Sequence, residues 1–212
     1  MQCFSWKNQQ LYSDKIERYS DPMKDTIVYI FDGLADWEIG LITYELRTVN
    51  QRRVRTAAAT KDPITTGGGL RVLPDLTLDE LHPETIDLLI LPGGEMWNQT
   101  FNEPLADLVR RFHQEGVLVA GICAATLFLA KTGLFDGGIR HTSNGLDYLQ
   151  YYFPDYRAQD HYADNPAVSD QGVITASGNA SHEFAYHILK TLGVYDADIL
   201  AEFADFWRCR GV

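Results

Sequence analysis

Residues 117–131 read VLVAGICAATLFLAK, and in this stretch a short apolar run passes at Cys123 into residues that favour a helix. The run at 117–122 predicts a buried strand, and residues 124–131 predict the helix that follows it. Cys123 would then occupy a sharp turn, where a side chain is held out at the carboxyl end of a sheet and the next N–H groups point at a developing anion. The pattern indicates a nucleophile elbow, although a cysteine packed as a small hydrophobic side chain has the same local sequence.

The chain around this stretch alternates strand-like and helical patterns. Residues 27–31 (IVYIF) and 86–91 (IDLLIL) are continuous apolar runs, which are typical of parallel strands covered on both faces. Residues 104–115 carry apolar side chains at helical spacing. This alternation predicts an α/β fold, a three-layer sandwich with a mostly parallel central sheet. Sites in such sheets lie at the carboxyl ends of the strands.

Composition limits the possible functions. With 212 residues, of which 45% are hydrophobic, the chain can bury one substantial core. Its net charge of -11 repels phosphate backbones and anionic membrane surfaces, so we expect neither a nucleic-acid nor a membrane partner. No apolar stretch approaches the length of a membrane span, and the first residues lack the basic and apolar regions of a signal peptide. We therefore expect a cytoplasmic protein.

The cysteine spacing argues against a disulfide scaffold. Cys3, Cys123 and Cys209 cannot all pair within the chain, and their wide separation fits neither a disulfide framework nor a metal site. The sequence also lacks a P-loop, a dinucleotide-binding glycine fingerprint and metal-ligand spacing. We therefore expect no cofactor and no bound metal.

Several segments together resemble the ThiJ/PfpI family within the class I glutamine amidotransferase-like superfamily. They are residues 26–38 (TIVYIFDGLADWE), 89–94 (LILPGG), 120–126 (AGICAAT), 141–144 (HTSN) and 173–184 (VITASGNASHEF). These segments follow the order and spacing of the family's motifs. The resemblance implies a flavodoxin-like fold and a cysteine at the nucleophile elbow.

The resemblance also implies a division of the chain. Residues 24–194 form the ThiJ/PfpI domain, and residues 1–23 precede it as an N-terminal extension. Residues 195–212 follow as a C-terminal helical segment that we expect to pack on the domain or at a dimer interface. Residues 196–207 place apolar side chains on one side of a helix, and the family usually forms dimers, so we expect a homodimer.

Glu38 is the acid that the resemblance places beside the Cys123 thiol. A carboxyl group in an enclosed pocket tends to stay protonated and can then donate a hydrogen bond to a thiolate. This hydrogen bond and the positive end of the following helix predict that the pKa of the Cys123 thiol lies well below that of a free cysteine. We do not expect a lowered pKa for Cys3 or Cys209. Asp36 competes for this role because some relatives use an aspartate near the turn, and a first-turn helix acid is the alternative interpretation of Glu38.

The other half of the predicted site comes from backbone amides and polar side chains. A glycine after a strand lets N–H groups turn towards a carbonyl oxygen, and the resemblance assigns the oxyanion hole to the N–H groups of Gly94 and Ala124. We expect Trp97, Asn144 and Asn179 to shape the pocket.

The histidines restrict the chemistry. Protease-like relatives carry a histidine where this chain has Ala124, and the His-x-Glu pair that true glutamine amidotransferases carry late in the domain is absent there. His141 is the remaining candidate for the pocket, but Asn144 aligns with the pocket position. For His141 we favour the structural interpretation, a strand histidine with a satisfied hydrogen bond.

Two functions remain open on these grounds. The first is a cysteine-dependent enzyme that acts through a Cys123 thiolate on a small reactive carbonyl or amide-like substrate, of glyoxalase, deglycase, hydratase or amidase type. The second is a redox-sensing or stress-protective protein whose Cys123 is oxidised without turnover. We favour the enzyme. Because no imidazole follows the cysteine, we expect neither a protease nor a true glutamine amidotransferase.

Overall fold

Nine strands form in the part of the chain described by this computed structural model, residues 24–209 and 211. They are β1 (Asp25–Tyr29), β2 (Val54–Ala58), β3 (Ile64–Thr65), β4 (Arg71–Val72), β5 (Leu76–Thr77), β6 (Ile86–Leu91), β7 (Leu118–Ile122), β8 (Ala167–Asp170) and β9 (Val173–Ala176). Seven of them make one sheet in the order β5-β2-β1-β6-β7-β9-β8, which is parallel except between β8 and β9. β3 and β4 pair separately as a short antiparallel hairpin.

The helices cover both faces of the sheet. They are α1 (Asp36–Tyr44), which continues as a π-helical turn (Glu45–Val49), α2 (Met96–Gln99), α3 (Glu103–Gln114), α4 (Ala125–Lys131), α5 (Leu146–Tyr152), α6 (Ser181–Leu192) and α7 (Ala197–Trp207). α1 packs against α6, and α7 packs against α6 as well. α3 and α4 pack on β7. Right-handed crossovers place α1 and α3 on opposite faces because their connections run in opposite directions across the sheet. The predicted three-layer, flavodoxin-like α/β fold is therefore confirmed.

The central strands are buried because helices cover them on both sides. In β6, all residues but Asp87 are buried, which explains the unbroken apolar run in the sequence. β1 begins at Asp25, two residues before the predicted start of that strand at residue 27. The Asp25 carboxyl is buried, and it forms ion pairs with Arg53 and with Arg55 of the neighbouring strand. Paired in this way, an acidic residue can begin a buried strand.

The carboxyl ends of the central strands bring the chemically important segments together. β1 is followed by the helix that carries Glu38, and β6 is followed by Gly93. β7 leads directly into Cys123, and β9 leads into Gly178. Since β1, β6, β7 and β9 are neighbours in the sheet, these four residues converge at one edge.

The C-terminal helix α7 packs on α6 of the same chain. Leu200 and Phe203 are buried there, and the ring of Trp207 lies 4.8 Å from that of His182, whereas Phe206 is exposed. The apolar stripe is thus used partly within the protomer, and the homodimer stays a prediction. The predicted extension, residues 1–23, lies outside the described residues. Within the described residues, no helix combines the length and apolar character needed to cross a membrane.

Candidate active site

The turn at Cys123 has the geometry of a nucleophile elbow. Cys123 has a φ of 58°, a left-handed conformation that is uncommon for a residue other than glycine. Its N–H donates to the carbonyl of Ala176 at 2.9 Å, and its carbonyl accepts from the Thr126 hydroxyl at 2.5 Å. The Thr126 hydroxyl lies 2.6 Å from that of Ser143. These bonds hold the strained backbone between β7 and α4.

Glu38 brings a buried carboxyl group to the thiol. Its side chain is 1% exposed, its Oε2 accepts the Gly93 N–H at 2.7 Å, and it shares a hydrogen bond with Cys123. A Cβ on Gly93 would lie 2.6 Å from Glu38 Oε2 and 2.7 Å from Cys123 Cβ. Residue 93 must therefore be glycine for the carboxyl and the thiol to meet in this arrangement.

Asp36, the competing acid, forms its hydrogen bonds with a different segment of the chain. Its Oδ2 accepts from the hydroxyl of Thr66 and, at 3.2 Å, from the N–H of Gly68. Both partners belong to the hairpin formed by β3 and β4, which Asp36 fastens to the start of α1. Of the two acids, the one in contact with the thiol is Glu38.

The protonation of the Glu38–Cys123 pair differs from the expectation. Burial raises the pKa of the Glu38 carboxyl, although the hydrogen bonds from Gly93 and Cys123 oppose the rise. Burial also raises the pKa of the Cys123 thiol to about 11, and the negative charge of Glu38 adds to the rise. The prediction of an acidic thiol is therefore wrong while Glu38 is ionised, because it omitted the cost of desolvating the thiolate.

A protonated Glu38 changes this balance, since it carries no charge and can donate to the sulfur. Thiolate formation thus depends on the shared proton lying on the carboxyl group. Burial likewise raises the pKa of Cys209 to about 11, as expected for a cysteine outside the site. Cys3 lies outside the described residues.

Asn144 is a second side chain in contact with the sulfur. Its Oδ1 accepts the Gly178 N–H at 2.9 Å, and its Nδ2 lies 3.4 Å from Cys123 Sγ. Because a backbone N–H can only donate, Oδ1 must face Gly178 and Nδ2 must face the sulfur. This amide hydrogen bond lowers the pKa of the thiol and partly opposes the effect of burial.

Gly178 also provides space for the sulfur. A Cβ at this position would lie only 2.7 Å from Cys123 Sγ. Sequence reasoning did not select Gly178, which lies inside the motif at 173–184 but carries no chemistry of its own.

The sequence also gave no signal for Tyr148 of α5, whose hydroxyl donates to Asn98 at 2.6 Å. Burial, followed by the charge of Cys123, raises the pKa of Tyr148, which indicates that its phenol lies close to the site.

Each predicted oxyanion donor directly follows a residue of the site in the chain. The Ala124 N–H bonds to the Cys123 sulfur and lowers the pKa of the thiol. Gly94 follows Gly93, whose own N–H is occupied by Glu38. An oxyanion hole made by Gly94 and Ala124 stays a prediction.

His141 is placed in the core and both of its ring nitrogens are occupied. The ring is fully buried and is stacked on Phe135 at a centroid distance of 3.9 Å. Nδ1 lies 2.8 Å from the Ile139 carbonyl and must donate to it, so Nε2 accepts from the Tyr156 hydroxyl. Burial lowers the pKa of this histidine. His141 therefore has the structural role that the sequence favoured, and its ring nitrogens are not available to act as a base in the pocket.

Trp97 also belongs to the core, contrary to its expected place in the pocket. It is 1% exposed, its indole N–H donates to the Pro92 carbonyl at 2.8 Å, and its ring lies 4.7 Å from that of Phe128. Trp97 therefore packs in the core and supports the glycine turn through its hydrogen bond to Pro92.

A polar cavity of about 300 Å³ opens beside the site. Segments at 143–145, 162–166 and 177–179 contribute its walls, which include the predicted pocket residues Asn144 and Asn179. Asn144 thus lines the cavity and also donates a hydrogen bond to the Cys123 sulfur. In the part of the chain that the structure describes, no three side chains of metal-ligating type come together.

A cysteine at a strand–helix elbow, met by a buried glutamate from the first helix, defines a class of flavodoxin-like α/β proteins. The sequence profile of the DJ-1/PfpI family matches residues 24–191, and the chain belongs to this family. The resemblance to ThiJ/PfpI proteins is thereby confirmed.

Individual relatives agree with this assignment. "Uncharacterized protease YoaZ" of Bacillus subtilis is 39% identical over 180 residues, which cover 82% of this chain and 85% of YoaZ. The crystal structure of a DJ-1 superfamily protein from Agrobacterium tumefaciens has a TM-score of 0.80 and 39% identity, and the match covers 87% of this chain and 97% of that one. The glutathione-independent glyoxalase DJR-1.2 of Caenorhabditis elegans is 24% identical over 161 residues, or 72% of this chain and 80% of DJR-1.2.

Proposed function

We propose that the protein is a cysteine-dependent enzyme that converts a small reactive carbonyl compound, with Cys123 as the nucleophile and Glu38 as its proton partner. The observation that carries this proposal is the set of three groups around one sulfur: the Glu38 carboxyl, the Asn144 amide and the Ala124 N–H. The first can hold the thiol proton, and the other two can stabilise the thiolate. The name of the relative DJR-1.2, a glyoxalase, agrees with this chemistry.

The first step is attack on an aldehyde carbon. Glu38 holds the proton of the pair, and the Cys123 thiolate forms a C–S bond while the C=O π electrons move to oxygen. The N–H groups of Ala124 and Gly94 face the resulting oxyanion, which then takes the proton from Glu38 to give a thiohemiacetal. No leaving group is expelled at this step, so the missing imidazole is not needed.

For a 2-oxoaldehyde, the Glu38 carboxylate completes an internal redox reaction. It removes the hydrogen on the thiohemiacetal carbon as a proton and returns a proton to the neighbouring carbon, while the hydroxyl proton of the thiohemiacetal passes to the oxygen of that neighbouring carbon, which leaves a thioester on Cys123. Water then hydrolyses the thioester to a 2-hydroxy acid and restores the thiol. The aldehyde carbon is oxidised and the adjacent carbonyl is reduced, so the balance requires no external oxidant.

The test compares three reactions in parallel: consumption of methylglyoxal with formation of lactate, hydrolysis of glutamine, and cleavage of casein. We expect only methylglyoxal consumption to occur. This activity should be lost in Cys123→Ala and retained in the matched control Cys209→Ala. Cysteine-dependent glutaminase or protease activity, or carbonyl turnover that survives in Cys123→Ala, would overturn the proposal.

The redox alternative is supported by the same donors, because Asn144 Nδ2 and the Ala124 N–H could hold the oxygens of a sulfinate. It is distinguished by mass spectrometry after treatment with mild peroxide. Selective conversion of Cys123 to a stable sulfinate, with none of the three reactions detected, would replace the enzyme by a redox sensor.

A further inference from the structure

The cavity beside Asn144 has a charge that the thiol chemistry does not require. The Asp164 carboxylate lies on its wall, and Asp147 lies against Gly145 at its edge. Burial raises the pKa of the Tyr162 phenol on the same wall, and the charges of Asp164 and Asp147 add to the rise. Asp164 therefore gives the wall of the cavity a negative charge. Among the described residues that line it, none is a lysine or an arginine.

Two of the hydroxyl donors on the wall are already engaged. The Ser177 hydroxyl donates to Asn179 Oδ1 at 2.8 Å, and the Ser143 hydroxyl is engaged with Thr126 at 2.6 Å. The carboxylate of Asp164 can only accept hydrogen bonds. A positively charged donor on a molecule that fills this cavity is therefore favoured by the surrounding field.

Asn144 fixes the position of the cavity relative to the reacting atom. Its amide bonds to Cys123 Sγ through Nδ2, and the same side chain forms part of the cavity wall. A substrate whose carbonyl carbon reaches the sulfur beside Asn144 therefore has this cavity next to it for the remainder of the molecule.

We propose that the cavity is the subsite for the remainder of the carbonyl substrate, and that Asp164 makes it select a remainder with an ammonium group over one with a carboxylate or phosphate. The inference rests on the proposed function for its carbonyl chemistry, but the charge selection is a property of the cavity. The substrate class is then a small carbonyl compound that carries an amino group, and Asp164 is a specificity-determining residue.

The test measures access to Cys123 with three thiol reagents that differ in charge. A full-length Cys3→Ser/Cys209→Ser background leaves Cys123 as the only thiol. Methanethiosulfonates with 2-ammonioethyl, 2-hydroxyethyl and 2-sulfonatoethyl groups are compared by intact mass. In each case the thiolate attacks the reagent sulfur, an S–S bond forms and methanesulfinate leaves. The cationic and anionic rates are each divided by the neutral rate, so a change in the fraction of thiolate cancels.

We expect the background protein to prefer the cationic reagent, and Asp164→Asn to lower the cation-to-anion ratio by about three- to tenfold, as expected for one unit charge acting across a hydrated cavity. The matched control is Asp198→Asn, which removes the same charge from the exposed first turn of α7. It should keep the background ratio. An equal ratio in Asp164→Asn and the background, or a background that prefers the anionic reagent, would overturn the subsite.

A second measurement uses turnover. Relative to methylglyoxal, the anionic aldehyde glyoxylate should be a poor substrate, and Asp164→Asn should raise its relative kcat/KM; an unchanged ratio would count against Asp164. Absence of turnover with both aldehydes contradicts the proposed function, whereas the reagent ratios still decide the charge of the cavity.

Discussion

Two buried glutamates on one helix, Glu38 and Glu45, have different partners. They lie about two helical turns apart and therefore on the same side. Burial raises the pKa of both carboxyl groups. Glu38 meets the Cys123 thiol, whereas Glu45 accepts the Tyr195 hydroxyl at 2.6 Å. Burial and a raised pKa thus do not distinguish an active-site acid from a structural one, and the partner decides.

The surroundings of Glu45 show what a structural acid does here. It stands where α1 passes into the π-helical turn, and its carbonyl accepts from the Asn50 side chain at 3.0 Å. The same Asn50 amide donates to the Tyr195 hydroxyl at 3.3 Å. Tyr195 lies between α6 and α7, so this group of three side chains joins the first helix to the C-terminal helical segment.

The largest expected effect separates the two glutamates by activity. Glu38→Leu should reduce carbonyl turnover by about 100- to 1,000-fold, because it removes the group that holds the proton of the thiol. Glu45→Leu should keep the turnover of the folded protein, since its partners lie away from the sulfur. The measurement is kcat/KM for methylglyoxal, normalised to the folded fraction. Equal losses in both variants would contradict the comparison.

Gly93→Ala tests the contact of Glu38 in a second way. The new Cβ would overlap both Glu38 Oε2 and Cys123 Cβ, so the pair must separate. A displacement of about 1 Å is enough to cost roughly 100-fold in kcat/KM. Gly137→Ala is the matched control, because a Cβ there meets no atom within 4 Å. Full activity in Gly93→Ala would show that the close approach is not required.

The pH dependence of thiol alkylation tests the charge on Glu38. With Glu38 ionised, the pKa of Cys123 is raised to about 11. Glu38→Gln removes the negative charge and keeps a donor, so the apparent pKa should fall by roughly 1 to 3 units. Glu38→Leu, which lacks the donor, should give a higher pKa than Glu38→Gln, and Glu45→Gln should match the wild type. Alkylation with iodoacetamide against pH provides the measurement. Identical profiles for Gln and Leu at position 38 would mean that Glu38 is not the partner.

The sequence predicted the elbow because its determinants are local. An apolar strand and a helix former meet at Cys123, and both preferences act over a few neighbouring residues. The contact with Glu38 is not local, since it joins α1 to the end of β7, and only the family resemblance indicated it. The task of Asp36 was hidden for the same reason, because its partners Thr66 and Gly68 lie on a hairpin far along the chain.

The errors came from packing, which a motif does not encode. Trp97 lies beside a motif segment, yet its ring fills the core and its indole N–H bonds to Pro92. His141 lies in a motif segment, and its hydrogen bonds to Ile139 and Tyr156 agree with the structural interpretation. The thiol pKa depends on how much solvent Cys123 loses, which the sequence does not state. Gly178 acts through the absence of a side chain, so its role became visible only with the sulfur in place.

The smallest expected effect concerns stability. The folded protein binds a proton on Glu45 more tightly than the unfolded chain does, because burial raises its pKa. The free energy of unfolding should therefore fall as pH rises from the unfolded to the folded pKa of this group, and should be insensitive to Glu45 above and below that interval. Glu45→Gln should flatten this part of the profile.

Tyr195→Phe, which removes the hydroxyl donor, should lower the free energy of unfolding by about 1 kcal/mol above the interval, where Glu45 is ionised. Denaturant unfolding between pH 4 and 9 checks both variants, with thiol alkylation as the control that should not change. A pH slope retained in Glu45→Gln would assign the dependence to Glu38 or another acid, whereas altered alkylation would show that Glu45 also acts on the site.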